Sequence, residues 1–215
     1  MNTNIKPFYI YTDRNSLYIK NINENTEKLA SNIHSYSANI DDDNNIHIVA
    51  LDNHGKIIHI FNKDKNWKKK VVCKCVNNSK NIKDIRLYIL NNYLNIFMVE
   101  KYPLEEDIHK IFHLNFNPSN YKLFKHTIDR VFKDNSSVYK LNIDELLNIV
   151  FQYKTIDLLS RNTINNTIIF NNTSRKWLAS TPLLRSSNIN FKEQNISCDI
   201  KSDIFEYCYS IKYKL

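Results

Sequence analysis

Two groups of side chains in the sequence have the chemistry of metal ligands. His109 and His113 have the i, i+4 spacing of a zinc-binding helix, but on a β-strand they would lie about 13 Å apart. The segment 41–45, Asp-Asp-Asp-Asn-Asn, offers oxygen ligands for Ca²⁺. An EF-hand loop needs Gly at its sixth position and Glu at its twelfth, where this chain has Ile46 and Asp52. We therefore interpret the acidic segment as a solvated hairpin turn and expect no metal at the histidines.

The four cysteines could supply a site for a soft metal ion. Cys73 and Cys75 would lie on one side of a strand, and Cys198 and Cys208 could complete a zinc site only if the chain ends folded back there. Their spacing matches no structural zinc pattern. Free, mostly buried thiols are the simpler interpretation, and a metal at Cys73 and Cys75 stays open. We predict no cofactor.

The single glycine, Gly55, excludes several kinds of catalytic and nucleotide-binding site. A nucleophile elbow, a phosphate-binding loop and a dinucleotide fingerprint each need more than one glycine. A glycan-cleaving site of the sialidase kind would need arginines clustered around carboxylates. The arginines of this chain fall at no common position of the repeat described below. They are Arg14, Arg86, Arg130, Arg161, Arg175 and Arg185. We therefore expect a protein that is not an enzyme, with a glycosidase as the third hypothesis.

A basic segment, Lys68-Lys69-Lys70, directly follows Trp67, and the whole chain carries a formal net charge of +8. A basic stripe beside aromatic residues can hold the phosphate backbone of a nucleic acid. Lysines on an exposed edge strand also discourage pairing between sheets of different molecules, and we favour that interpretation. Nucleic-acid binding through these three lysines is the alternative hypothesis.

The composition indicates a globular chain, with 42% hydrophobic and 24% charged residues among 215. Its N-terminal segment contains no uninterrupted apolar stretch of the signal-peptide kind. No later stretch approaches the roughly 18 apolar residues that a membrane span needs. We expect a soluble, cytoplasmic chain without a membrane partner.

These side chains must be positioned by a fold, and a repeated motif indicates which fold. The motif is a Phe-Asn pair followed by a polar turn and an aromatic residue. Its copies are Phe61-Asn62 with Trp67, Phe116-Asn117 with Tyr121, and Phe170-Asn171 with Trp177. A second motif recurs with a similar period, at Asn45-Ile46, Asn95-Ile96, Asn148-Ile149 and Asp203-Ile204. A period of about 55 residues is typical of repeat architectures.

Each copy contains four short segments rich in β-branched and aromatic residues, separated by polar turns. The predicted strands are 35–40, 45–51, 56–61 and 67–73 in the first copy, 85–90, 93–100, 108–116 and 121–128 in the second, and 138–143, 147–153, 167–171 and 176–179 in the third. This pattern predicts an all-β fold: a β-propeller of four, or an incomplete five, four-stranded antiparallel blades. Residues 121–132 and 144–159 also fit a helical period. We favour strands because the aligned segment 57–61 is β-branched.

The chain is predicted to form a single propeller domain, 1–215, with repeats at about 33–75, 82–128 and 137–180. Residues 1–32 resemble the last three strands of a blade, and residues 187–215 resemble the first strands of another. The two ends form either one closing blade, by strand exchange, or two partial blades.

The strand arrangement resembles bacterial propeller repeat proteins, the broad group that includes Asp-box and lectin-like propellers. The Asp-box pattern is Ser/Thr-x-Asp-x-Gly-x-x-Trp, and the segment 62–67 lacks its glycine and has a shorter spacing. WD dipeptides are absent. The resemblance covers nearly the whole chain and implies a propeller fold, without carrying over any catalytic residue.

We expect a non-catalytic binding or scaffold protein that presents loops to a protein or glycan partner. The loops joining second to third strands are the longest and most varied parts of the copies, and binding tends to lie on loops of a rigid scaffold. These loops are 52–55, 102–107 and 155–162. The candidate contact residues are Asp52, Asn53, His54, Tyr102, Glu105, Glu106, Asp157 and Arg161.

Overall fold

The computed structural model describes residues 9–20, 25–43, 45–63, 66–133, 137–157, 160, 162–179 and 206–207, and all structural statements below refer to them. Most of these residues lie in β-strands, and every pair of neighbouring strands is antiparallel. The prediction of an all-β fold is therefore confirmed. The one helix in this part of the chain is a 3₁₀ turn, Ser79–Asn81, and no helix there is long and apolar enough to cross a membrane.

The strands follow one another along the chain as a series of hairpins. The first sheet begins with β1 (Tyr9–Asp13), β2 (Ser16–Lys20) and β3 (Thr26–Ser31). The second sheet contains β4 (Ile33–Ile40), β5 (Ile46–Asp52), β6 (Lys56–Lys63) and β7 (Asn66–Lys74). The third contains β8 (Ile82–Leu90), β9 (Tyr93–Lys101), β10 (Ile108–Phe116), β11 (Phe124–Phe132), β12 (Tyr139–Ile143), β13 (Ile149–Ile156), β14 (Thr163–Asn171) and β15 (Lys176–Ala179). Finally, β16 (Glu206–Tyr207) joins the first sheet beside β1.

The sequence predicted separate four-stranded sheets, whereas the described strands form three sheets, the third with eight strands. That large sheet consists of two successive hairpin series, β8–β11 and β12–β15. They meet only where Val131 and Phe132 of β11 pair with Thr155 and Lys154 of β13. β12 pairs with the earlier part of β13, so β11 and β12 share one side of that strand. We call the four series strand groups: group 1 is β16 with β1–β3, group 2 is β4–β7, group 3 is β8–β11 and group 4 is β12–β15.

Residues from both ends of the sequence share the first sheet. Tyr9 pairs with Tyr207 and Ile10 with Glu206, so the sheet order is β16-β1-β2-β3. The other strands expected near the C-terminus, within 187–215, lie outside the described residues.

The middle strands of groups 2 and 3 are buried on both faces. All residues from 47 to 52 in β5 and from 94 to 99 in β9 are buried. A strand covered on one face alone would alternate buried and exposed side chains, so both faces of these sheets are covered. Ile48 and Ile60 pack towards group 1, whereas Leu51 and Ile57 pack towards group 3. Group 2 therefore lies between two neighbouring groups.

Aspartate forms turns that would more often contain several glycines. In three five-residue hairpin turns the carboxylate Oδ1 accepts the backbone N–H of the residues two and four positions later, and the turns begin at Asp41, Asp52 and Asp144. The fourth residue has a left-handed backbone in two of them, with φ of 78° at Gly55 and 60° at Leu147. The side chain that opens the turn thus supplies the hydrogen bonds that hold it closed.

The turn before the fourth strand departs from the predicted alignment. Tyr121, expected to start the outer strand, has a left-handed φ of 56°, and its N–H bonds to the carbonyl oxygen of Asn117 at 2.8 Å. Arg175 has the same φ and an equivalent 2.8 Å bond to Asn171. Tyr121 is therefore the counterpart of Arg175, and β11 begins at Phe124. The helical alternatives for 121–132 and 144–159 are wrong, because β11 and β13 lie there.

Gly55 is a position that no other residue should occupy. A Cβ built on Gly55 would lie 1.9 Å from the carbonyl oxygen of Val76. The carbonyl oxygen of Gly55 accepts the N–H of Cys75 at 2.8 Å, so the two segments cannot move apart without losing this bond. We expect Gly55→Ala to lower the free energy of unfolding by about 2 kcal/mol or more, measured by urea denaturation. Asn53→Ala is the matched control, because this side chain is exposed in the same turn. Equal losses in the two variants would contradict the role assigned to the glycine.

Candidate functional site

The loops predicted to contact a partner lie along one edge of the strand groups, which we call the loop edge. These loops are 52–55, 102–107 and 155–162, and the third is described at 155–157, 160 and 162. The Ser79 hydroxyl donates to the carbonyl of Asn53 in the first loop, at 3.3 Å. Asn81, in the same 3₁₀ turn, lines a cleft with Tyr102 of the second loop. Phe132 of β11 pairs with both β10 and β13 next to the second and third loops. Three segments far apart in sequence therefore form a continuous rim.

The first loop contains two accessible candidate residues and one that builds the turn. Asn53 and His54 are exposed. Asp52 is buried, and its Oδ1 accepts the N–H of His54 at 2.9 Å and of Lys56 at 2.8 Å. The carboxylate of Asp52 is thus committed to the turn and supports Asn53 and His54 from beneath.

The second loop is fastened to the outer strand β11. The Tyr102 hydroxyl donates to the Asp129 carboxylate, and the Arg130 guanidinium donates to both oxygens of Glu105, at 3.0 and 3.3 Å. Burial, and then the hydrogen bond to Asp129, raise the pKa of Tyr102 to about 12, so the hydroxyl keeps its proton. Glu106 is exposed. Two of the three predicted contact residues here therefore hold the loop, and Glu106 faces solvent.

An aliphatic side chain projects from this fastened loop. Leu104 is 97% exposed. Beside it is a cleft of about 190 Å³, and Lys110 Nζ lies 5.3 Å from the centre of the Tyr102 ring there. The cleft is lined by Asn81, Glu100, Lys101, Tyr102, Pro103 and Lys110. Pockets for whole small molecules usually occupy about 300 to 1,000 Å³, so this cleft has the size for one side chain.

The third loop is closed by its own polar groups. The Ser160 hydroxyl donates to Asp157 Oδ2 at 2.9 Å, and the N–H of Asp157 donates to the carbonyl of Asn162 at 2.9 Å. Arg161, the remaining predicted contact residue, lies outside the described residues. Asp157 is therefore a turn residue whose carboxylate is partly committed within the loop.

The three lysines of the basic segment lie on β7, an edge strand of the second sheet. Lys68, Lys69 and Lys70 are all exposed. Lys70 Nζ lies 3.8 Å from the centre of the Tyr121 ring in group 3, a cation–π contact. The segment therefore faces solvent and also borders the neighbouring group.

The paired cysteines lie at the end of β7 as free thiols. Their mutual hydrogen bond lowers the pKa of Cys73, and the Lys125 ammonium acts in the same direction against burial. The same hydrogen bond, with burial, raises the pKa of Cys75. Cys198 and Cys208 fall outside the described residues. Within the described ranges no three His, Cys, Asp or Glu side chains are grouped closely enough to hold a metal ion.

A chain of four hydrogen-bonded side chains runs from a hairpin of group 2 to group 3. Asp41 Oδ2 lies 3.1 Å from His47 Nε2, His47 Nδ1 lies 2.9 Å from His59 Nε2, and His59 Nδ1 lies 2.8 Å from the Tyr121 hydroxyl. Both histidines are buried, and their rings are nearly parallel, with an angle of 5° between the planes and centres 5.1 Å apart. Sequence reasoning missed this chain, since Tyr121 lies far along the sequence from the histidines.

With both imidazoles neutral, one arrangement of protons satisfies all three contacts. An ionised Asp41 can only accept, so His47 donates through Nε2 and must accept at Nδ1. His59 then donates from Nε2 and accepts at Nδ1, where Tyr121 donates its hydroxyl proton. In this arrangement the Tyr121 hydroxyl donates at one end of the chain and the Asp41 carboxylate accepts at the other.

The ionisation of the flanking groups agrees with that arrangement. Burial, and then the neighbouring His47, lower the pKa of His59 to about 3. Burial alone would raise the pKa of Asp41, but hydrogen bonds from Asn45 and His47 outweigh it and hold the pKa below its ordinary value. Burial raises the pKa of Tyr121, which keeps its donor proton. These groups therefore form a buried latch, in which His59 is neutral at neutral pH.

A second buried polar cluster centres on His113 in group 3. His113 Nε2 lies 3.0 Å from Asn95 Oδ1, which also accepts from Asn115 Nδ2 at 2.8 Å. Arg175 Nε donates to Asn115 Oδ1 at 2.7 Å. Burial lowers the pKa of His113 to about 3, and its ring is stacked on Phe97 at 4.5 Å. This imidazole is therefore a neutral core group.

The two clusters join successive strand groups in the same way. Tyr121 of group 3 reaches back to His59 of group 2, and Arg175 of group 4 reaches back to Asn115 of group 3. Both side chains leave the left-handed position of the turn before a fourth strand. That turn position thus supplies one polar latch at each of these two boundaries.

No family model matches the chain, and no curated protein matches it. Among solved structures, the bifunctional GH43-CE protein of Bacteroides eggerthii is similar with a TM-score of 0.44 and 11% identity, over 84% of this chain and 25% of that one. The complex of the fission yeast SREBP-SCAP binding domains has a TM-score of 0.42 and 9% identity, over 88% of this chain and 52% of that one. The chain thus spans a quarter of one protein and about half of the other, and neither likeness indicates a function.

Acid should destabilise the fold through the buried imidazoles. The unfolded chain binds a proton at His59 below a pKa near 6.5, whereas the folded chain excludes it down to about 3. Stability should therefore be fully present above pH 6.5 and decrease as the pH falls towards 3. We expect His59 to account for a loss of about 1 to 3 kcal/mol between pH 7 and pH 4, and His113 for a similar loss.

Two variants assign this loss to the latch. His59→Gln keeps a donor and an acceptor without a titrating ring, so its unfolding free energy should decrease less steeply between pH 7 and pH 4. His54→Gln removes an exposed histidine and should retain the wild-type dependence. The measurement is urea denaturation at several pH values. Identical pH profiles for His59→Gln and the wild type would exclude the latch as the source.

Proposed function

We propose that the chain is a four-bladed β-propeller that acts as a non-catalytic binding module. Support for the propeller comes from four groups of four antiparallel strands and from contacts between the first strands of groups 2 and 3. The Asn39 amide donates to the carbonyl of Leu87 at 3.2 Å, and the Leu87 N–H donates to the Ser37 hydroxyl at 3.0 Å. These bonds place β4 beside β8, as the inner strands of neighbouring blades lie around a propeller axis.

The binding role rests on one observation, the fastened loop that displays Leu104. A single exposed leucine is ordinary on a protein surface. Here the loop is fixed by Tyr102 and Glu105, and the leucine stands beside a cleft of side-chain size. A loop held in place loses little conformational freedom on binding, which favours recognition. We infer that Leu104 enters a partner while a partner side chain enters the cleft.

A protein partner fits this edge better than a glycan. Sugars are commonly held on an open aromatic face, and the Tyr102 ring is approached by Lys110. An aliphatic projection with an adjacent cleft matches the packed centre of a protein interface.

Site-specific photo-crosslinking tests this proposal. A photoreactive phenylalanine analogue is placed at Leu104, or at Leu146 as the matched control, in the chain expressed in its source cells. Leu146 is also an exposed leucine, with 79% of its surface accessible. It lies in the Asp144 turn, at the end of β13 that is opposite to the loop edge. We expect a discrete protein adduct from position 104 and none from position 146. The same adducts from both positions would contradict a role for the loop edge.

The adduct then allows a quantitative test. Leu104→Ser should weaken binding of the purified partner about tenfold, because roughly 1.5 kcal/mol of apolar contact is lost. Leu146→Ser should leave the affinity unchanged. Isothermal titration calorimetry gives both values. A crosslinked product that contains a glycan and no protein would show that the partner is a carbohydrate.

A further inference from the structure

Two segments of the chain contain many lysines and no carboxylate. They are residues 66–83 and 117–128, and neither contains Asp or Glu. All of their lysines are exposed, and these are Lys68, Lys69, Lys70, Lys74, Lys80, Lys83, Lys122 and Lys125. We call this set the lysine surface.

The fold brings the two segments together at the boundary between groups 2 and 3. Lys70 Nζ lies over the ring of Tyr121, 3.8 Å from its centre. Lys125 of group 3 in turn lies close enough to β7 for its charge to help lower the pKa of Cys73. Lysines from β7 and from the start of group 3 therefore form one surface across the boundary.

A general enrichment in lysine does not explain this surface. A bias in composition adds lysines along the whole sequence, but it does not remove carboxylates from two segments that meet in space. Other cations are paired with carboxylates: Arg130 lies 3.0 Å from Glu105 and Arg86 lies 2.9 Å from Asp84. The lysine surface therefore concentrates positive charge, which attracts an extended anion.

We propose that the lysine surface binds the phosphate backbone of a nucleic-acid duplex without sequence preference. Its cations are all lysines, compact point charges that suit phosphate oxygens, whereas base edges are more often read by arginine. β7 alone extends the charge over about 20 Å, long enough to follow several phosphates.

The aromatic residues at this surface do not favour single strands. Tyr121 is stacked on Phe116 at 5.4 Å and covered by Lys70, and Trp67 packs against the cluster between groups 1 and 2. Neither ring offers an open face for an unstacked base, which single-strand binders generally need. A membrane surface is also a poorer fit, since Val71 is the one exposed large aliphatic residue in the described part of these segments.

Fluorescence anisotropy with a labelled DNA duplex of about 20 base pairs tests the proposal. The full chain is titrated between 50 and 200 mM KCl. With six to eight phosphates neutralised, the affinity should fall about a thousandfold or more over this range. No binding at 50 mM KCl would overturn the proposal.

A pair of matched variants locates the site. Lys68→Gln with Lys122→Gln removes one charge from each segment, and Lys28→Gln with Lys140→Gln removes two exposed charges from other strands. The first pair should make the slope of log affinity against log salt less steep by about 2, and the second should not change it. Unfolding midpoints check that both variants fold.

The remaining outcomes each decide against the proposal. Equal losses in the two double variants would show that only net charge matters. Tighter binding of a single strand than of the duplex would mean that the surface contacts unpaired bases. Binding to phosphatidylserine vesicles in place of the duplex would assign the surface to a membrane.

Discussion

Burial of the middle strands from both faces is the constraint on which the rest of this structure depends. A polar group on such a strand has no access to water, and leaving it without a partner costs about 1 to 3 kcal/mol. The neighbouring strand groups must therefore supply partners for buried residues such as His59 and Asn115. Tyr121 and Arg175 do so from the turn before the next fourth strand. Apolar packing and polar latches thus fix the same arrangement of groups.

The same constraint leaves the rims and outer strands as places for function. The interior histidines His59 and His113 are neutral and buried, whereas Leu104 and Lys68 face solvent. The loop edge is formed by connections between second and third strands, and the lysine surface by an outer strand with the turn of the following group. The two surfaces adjoin at the 3₁₀ turn Ser79–Asn81, where Lys80 of the lysine surface lies next to Asn81 of the cleft.

Much of the fold could be predicted from the sequence, because β-branched runs and polar turns alternate strongly enough to locate the strands. The alignment of Tyr121 failed for a physical reason: the recurring feature is a left-handed backbone position, which Tyr121 and Arg175 fill with unlike side chains. Asp52 was predicted to contact a partner, and its chemistry could not reveal that the turn uses its carboxylate. The latch from Asp41 to Tyr121 depends on residues from two strand groups, so no local pattern could indicate it.

The pairing of β16 with β1 has a consequence for how the chain is made. The strand β1 leaves the ribosome long before β16, its neighbour at the edge of the first sheet. Groups 2 and 3 contain only hairpins between consecutive strands and can assemble as they emerge. Until β16 arrives, one side of β1 is an open sheet edge, the kind of edge that pairs with other chains. Slow translation of the last residues would therefore lengthen the interval in which this protein is most exposed to aggregation.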